Sequence, residues 1–148
     1  KVDVPIIAAG GMVDGGTMAA AFALGAEGIQ MGTRMVSALE SPVHQNWKQA
    51  IVDAPETGTV FLNKFHSPAL RALRTERTSR LEANAADNIM PEFGDAQALY
   101  FGGDMEAAIP LSGQVAGRIE SIKPVADILH ETRDEFFRIL ESLQRQYL

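Results

Sequence analysis

Gly10 and Gly11 close the run Pro5-Ile6-Ile7-Ala8-Ala9, and Gly32 with Thr33 closes the run Gly28-Ile29-Gln30-Met31. Glycine after an apolar run lets the backbone turn sharply and approach a ligand. The N–H groups of the turn, and of the first turn of the helix that follows, then serve as donors. The chemistry this pattern offers is anion binding. Gly11 and Gly32 lie 21 residues apart, so the two turns recur once per strand and helix and can converge on one phosphate.

Other reactive side chains are sparse. His44 follows Ser41-Pro42-Val43 and His66 lies in Phe65-His66-Ser67-Pro68; either has the type of a general base, with no carboxylate at useful spacing. His130 adjoins the apolar stripe of the last helix and is expected to be structural. No pair of histidines has metal-ligand spacing, so no metal site is expected. Arg71, Arg74, Arg77 and Arg80 could meet an anionic arm, such as a nicotinamide dinucleotide or an acyl carrier. The plainer reading is solvated charge paired with Glu76 and Glu82.

The elements that must position the two glycine turns are readable. Residues 6–9 suit a buried parallel strand, and residues 28–31 are the second strand. Asp14 caps a helix of small residues (Ala19, Ala20, Ala21, Ala23) that ends at Gly25. Ser41-Pro42 predicts the start of a second helix, with Val43, Trp47, Ala50 and Ile51 on one face, stopping near Asp53 before Pro55. Residues 59–62 suit a third strand. Periodicity then fails, and residues 63–103 read as an irregular, loop-rich segment, with one helical turn or two expected in residues 85–103. A helix is expected from about Ser112, carrying Gly113 and Gly117. The last helix has Val125, Ile128, Leu129, Thr132, Phe136, Ile139, Leu140 and Leu143 on one stripe, with Phe137 off it. The organisation expected is therefore residues 1–62 as βα units, 63–103 as irregular, and 104–148 as C-terminal helices.

Composition bounds the rest. The chain has 148 residues, 46% of them apolar, enough for one core in an α/β protein. A net charge of −6 argues against a nucleic-acid partner, while a local cradle can still take a small anion. The chain contains no cysteine, which excludes thiolate chemistry and disulfides and fits a cytoplasmic location. No apolar run approaches the roughly 20 residues that cross a bilayer. The chain starts almost on a strand and without methionine, which predicts a piece of a larger protein.

The stretch from Ile6 to Arg34 resembles the signature of the nitronate monooxygenase family, formerly 2-nitropropane dioxygenases, and of the flavin enoyl-ACP reductases that share its fold. The resemblance continues through Ser41-Pro42-Val43-His44 and Ser112-Gly113-Gln114-Val115-Ala116-Gly117. IMP dehydrogenases and α-hydroxy acid oxidases have a related glycine pair, but Met31-Gly32-Thr33-Arg34 points away from them. The resemblance implies the last two βα units of a (β/α)8 TIM barrel, followed by C-terminal helices. A barrel takes about 250 residues, so its first six strands would lie outside the chain. It implies FMN as cofactor, with Gly10 and Gly11 in the first phosphate loop and Gly32 and Thr33 in the second. Gln114 would come near the flavin, with Gly113 and Gly117 allowing close approach. The family's catalytic histidine lies upstream of the glycine pair, so no residue of this chain is expected to be catalytic.

The activity implied is oxidation of alkyl nitronates with dioxygen. An alternative is an FMN-dependent enoyl-ACP reductase using NAD(P)H, and a second is a non-catalytic fragment or half-barrel. The substrate would be a small molecule, a nitronate or an enoyl thioester, and a homodimer is compatible with the pattern.

Overall fold

The structure is a computed structural model that describes residues 2–84 and 86–148. Strand β1 (Ile7–Ala9) pairs in parallel with β2 (Gly28–Gln30), with Ala8 opposite Ile29. Helix α1 (Gly15–Ala23) connects them. Asp14 accepts from Thr17 N at 2.7 Å, and Thr17 Oγ1 in turn accepts from Asp14 N, a complete capping box. Gly25 ends the helix at φ +101°.

The expectation that the first strand is buried is corrected. Ile6 and Ile7 are exposed, because this sheet has two strands among the described residues and nothing covers β1 on its outer side. A two-stranded sheet leaves most of its apolar surface in water.

A short helix α2 (Thr33–Val36) follows β2, and α3 (Gln45–Val52) comes next. Ser41 is not the cap of α3. His44 holds that position: its Nδ1 accepts from Asn46 N at 3.1 Å, while its own N–H donates to Tyr100 O at 2.7 Å. The chain between Ser41 and His44 is thereby tied to a distant residue and enters the helix three residues later than the Ser-Pro pair implies.

Residues 63–103, read as irregular, carry four short elements. Strand β4 (Leu70–Leu73) pairs antiparallel with β3 (Thr59–Leu62), and α4 (Glu76–Ala83), a 3-10 turn (Met90–Glu92) and α5 (Ala96–Tyr100) follow. Their core consists of Val60, Leu62, Ala72, Leu81, Ile89 and Ile109. A second core joins Val13 to Trp47, Ile51, Leu73, Leu99, Val115 and Ile119. It ties the first βα turn to α3, α5 and the 3-10 helix Gln114–Arg118, which replaces the longer helix expected from Ser112.

Helix α6 (Val125–Tyr147) packs along α1, with Phe22 and Phe136 edge to face at 5.1 Å. Of its stripe, Ile128, Thr132 and Phe136 are buried. Leu129, Leu140 and Leu143 are exposed. No helix of the described residues is long and apolar enough to cross a membrane.

Candidate functional site

Both glycine turns face one cavity of about 280 Å³, lined by Gly10, Gly11, Gly32, Thr33, Gly113 and Val115 among others. Gly10 and Gly11 have φ of +87° and +75°, the left-handed region that a side chain strains to enter. A Cβ built on Gly10, Gly11 or Gly32 meets no atom within 4 Å, so the backbone there borders free space. The amides of Gly11, Gly32 and Thr33 have no acceptor among the described residues. No charged side chain lines this cavity. The surface is therefore neutral and rich in unpaired donors, the chemistry that suits a phosphate.

The expected donors divide unequally between the two turns. Helix α2 begins with no side-chain cap, leaving its first amides open to the cavity. Helix α1 does not contribute in the same way: Thr17 N is taken by Asp14, and Gly15 N donates to Glu135 Oε2 at 2.8 Å. Two carboxylates already answer the positive end of α1.

Thr33 is held from a third segment. Gly113 N donates to Thr33 Oγ1 at 2.7 Å, which occupies one lone pair of the hydroxyl and leaves its proton for an acceptor in the cavity. Gln114 is exposed beside the cradle rather than in it. It lines an adjoining cavity of about 330 Å³ with Glu56, Gly117 and Arg118, and the two cavities share Gly11 and Val115. Gly117 permits close approach of a different kind from that expected, since a Cβ there would lie 2.6 Å from Glu56 Cα. Gly113 is the residue whose importance sequence spacing did not reveal; the Ser112-Gly113-Gln114 string marked the place but not its partner.

Arg34, next to Thr33, turns the other way. It is 6% exposed and donates to Ser37 Oγ at 2.9 Å and Ser121 O at 3.0 Å. Burial pulls its guanidinium below the ordinary arginine range, with Glu131 pulling upward. Arginine remains protonated under any ordinary condition, so Arg34 is a buried brace and not a cavity ligand.

The remaining candidates lie elsewhere. His44 caps α3, His66 Nε2 lies 3.0 Å from Ala86 O, and His130 is exposed on α6. Arg74 pairs with Glu82 at 2.9 Å, as expected. Arg71 donates to Thr59 Oγ1 and stacks over Phe61, and Arg77 donates to the carbonyls of Glu106 and Glu92. None of these arginines lines the cradle.

Comparison with known proteins places this geometry among relatives. The sequence profile of the nitronate monooxygenase family matches residues 1–135. A probable nitronate monooxygenase of Staphylococcus aureus (strain Newman) is 31% identical over 146 residues, covering 95% of this chain and 41% of that protein. One from Staphylococcus saprophyticus is 36% identical over 93 residues, 63% of this chain and 26% of its own length. Among solved structures, FabK from Thermotoga maritima superposes with a TM-score of 0.91 at 41% identity, over 99% of this chain and 48% of that one. Nitroalkane oxidase from Streptomyces ansochromogenes does so with a TM-score of 0.77 at 26% identity, over 96% and 42%. The chain thus spans less than half the length of these relatives.

Proposed function

The chain belongs to the nitronate monooxygenase family, and on that premise we propose that it supplies the FMN-phosphate grip of a flavin-dependent oxidoreductase acting on alkyl nitronates with dioxygen. The observation that carries the reading is the convergence of open amides at Gly11, Gly32 and Thr33 and the Thr33 hydroxyl on one uncharged cavity. That donor set fits a phosphate: each donor is neutral, rigidly held by backbone, and spared by every internal acceptor. Gly10 and Gly11 would bring the first loop to the phosphate, and Gly32 and Thr33 the second. Gln114, in the adjoining cavity, is placed to touch a ligand that extends from it. Bound FMN would take up electrons from the substrate and return them to dioxygen; the residues here bind and orient it. In this reading β1 and β2 with their helices are the last two βα units of a TIM barrel, where such phosphate sites lie.

The test is Gly32→Val in the full-length protein, followed by flavin absorbance after desalting. Its expected outcome is colourless protein, because a β-branched side chain would fill the space in front of the Gly32 and Thr33 amides. A yellow variant would overturn the phosphate assignment.

A second reading is an FMN-dependent enoyl-ACP reductase using NAD(P)H. It is favoured by the likeness to FabK, which is greater in both identity and superposition than that to nitroalkane oxidase. Anaerobic flavin reduction separates the two. Bleaching by propionate 3-nitronate and not by NADH supports the nitronate reading, and bleaching by NADH alone the reductase.

A further inference from the structure

Gln114–Arg118 is a five-residue 3-10 helix fastened at both ends to the glycine turns. At its start Gly113 N donates to Thr33 Oγ1 at 2.7 Å, reaching the second turn. At its end Arg118 Nη2 pairs with Asp14 Oδ2 at 2.6 Å, reaching the first turn through the residue that caps α1. Between the two pins, Val115 and Ala116 are buried in the same core as Val13 of the first turn. The helix therefore lies as a bar across both turns.

We propose that this bar is a clasp that sets the cradle for phosphate, with Gly113 and Arg118 as positioning residues; the proposal rests on the FMN-phosphate reading above. The argument at Gly113 is geometric. An N–H fixed against one lone pair restricts how the hydroxyl turns, so Gly113 biases the Thr33 proton toward the ligand. The approach is close, since a Cβ at this position would lie 3.0 Å from Thr33 Oγ1 and the hydroxyl would have to shift.

The argument at Arg118 is one of division of labour. Asp14 uses one carboxylate oxygen to cap α1 and the other to receive Arg118, so the ion pair fixes the bar relative to the first turn without disturbing the cap. The guanidinium is 57% exposed, too open to contribute much to stability, which leaves orientation as its effect.

The probes are FMN and riboflavin, which differ by the phosphate. Their dissociation constants are measured by flavin fluorescence on the full-length protein, with the melting temperature as control, for wild type, Gly113→Pro and Arg118→Gln. Gly113 has φ −72° and ψ 157°, angles that proline adopts; the ring removes the N–H, and its Cδ pushes the Thr33 hydroxyl away from that side.

Wild type is expected to prefer FMN clearly. Gly113→Pro should shrink that preference about tenfold, the scale of one lost hydrogen bond to a charged group, and Arg118→Gln about threefold. Riboflavin affinity should stay within about twofold throughout, a selectivity that loss of structure would not give.

An unchanged FMN-to-riboflavin ratio in either variant overturns the role of that residue. Should Gly113→Pro fail to fold, Gly113→Ala, which keeps the N–H but crowds the hydroxyl, takes its place with the same expected direction. A wild type that binds both flavins equally overturns the phosphate reading itself, whereas a wild type that prefers FMN while all variants keep the ratio overturns the clasp alone.

Discussion

The Thr33 hydroxyl accepts from Gly113 on one lone pair, so what it offers an anionic ligand is its one proton, with the oxygen held in place. Thr33→Ser keeps that proton and should hold FMN within about twofold of wild type, while Thr33→Val removes it and should weaken FMN about tenfold with little effect on riboflavin. A loss in Thr33→Ser with FMN binding retained in Thr33→Val, read by fluorescence titration, would assign the effect to the methyl group instead. Thr33 and the three glycines were legible because each follows an apolar run at a spacing that recurs. Gly113 was not, because its partner lies 80 residues away and no local pattern reports a contact of that range. Arg34 was illegible for another reason: a charged residue is ordinarily exposed, and only packing reveals that this one is enclosed between α2 and Ser121.

At the scale of elements, the His44 cap and the missed α4 have different causes, a distant partner in the first and a short apolar face in the second. Ser41-Pro42 is a sound helix start by composition, but the bond from His44 N to Tyr100 O moves the entry of α3. His44→Ala should therefore lower stability by about 1 kcal/mol and Ser41→Ala by much less, as measured by urea unfolding. The reverse order would return the cap to Ser41. Helix α4 escaped notice because its buried face rests on Thr78 and Leu81, too little for a visible stripe. Its real signal was Thr75 three residues before Thr78, a reciprocal cap in which each hydroxyl serves the other's backbone. Thr75→Ala should cost about 1 kcal/mol on the same assay.

The whole molecule divides into a well-covered part and a bare one. Trp47, Ile51, Leu99 and Ile109 are at most 2% exposed, whereas Ile7 is 64% and Leu24 91% exposed. The bare residues border β1 and α1, where a shallow apolar groove runs past Ile6, Ala8 and Ala20. An unpaired strand edge with apolar neighbours recruits other chains. The 148-residue chain alone should thus run above its 16.0 kDa mass in light scattering, and Ile7→Lys should reduce that association. A clean monomer without the substitution would mean that this surface is tolerated in water. The apolar run of β1 predicted burial that the structure does not show, because among the described residues β1 has β2 as its one sheet neighbour.

The bond between Gly113 and Thr33 also has a place in time. A ribosome adds about 5–20 residues per second, so the 80 residues separating the two partners take about 4–16 s to synthesise. Until Gly113 has been added, the Thr33 hydroxyl lacks the contact that orients it, although both glycine turns have already been made. A nascent chain stalled before Gly113 should therefore prefer FMN over riboflavin by a margin about tenfold smaller than the full protein does.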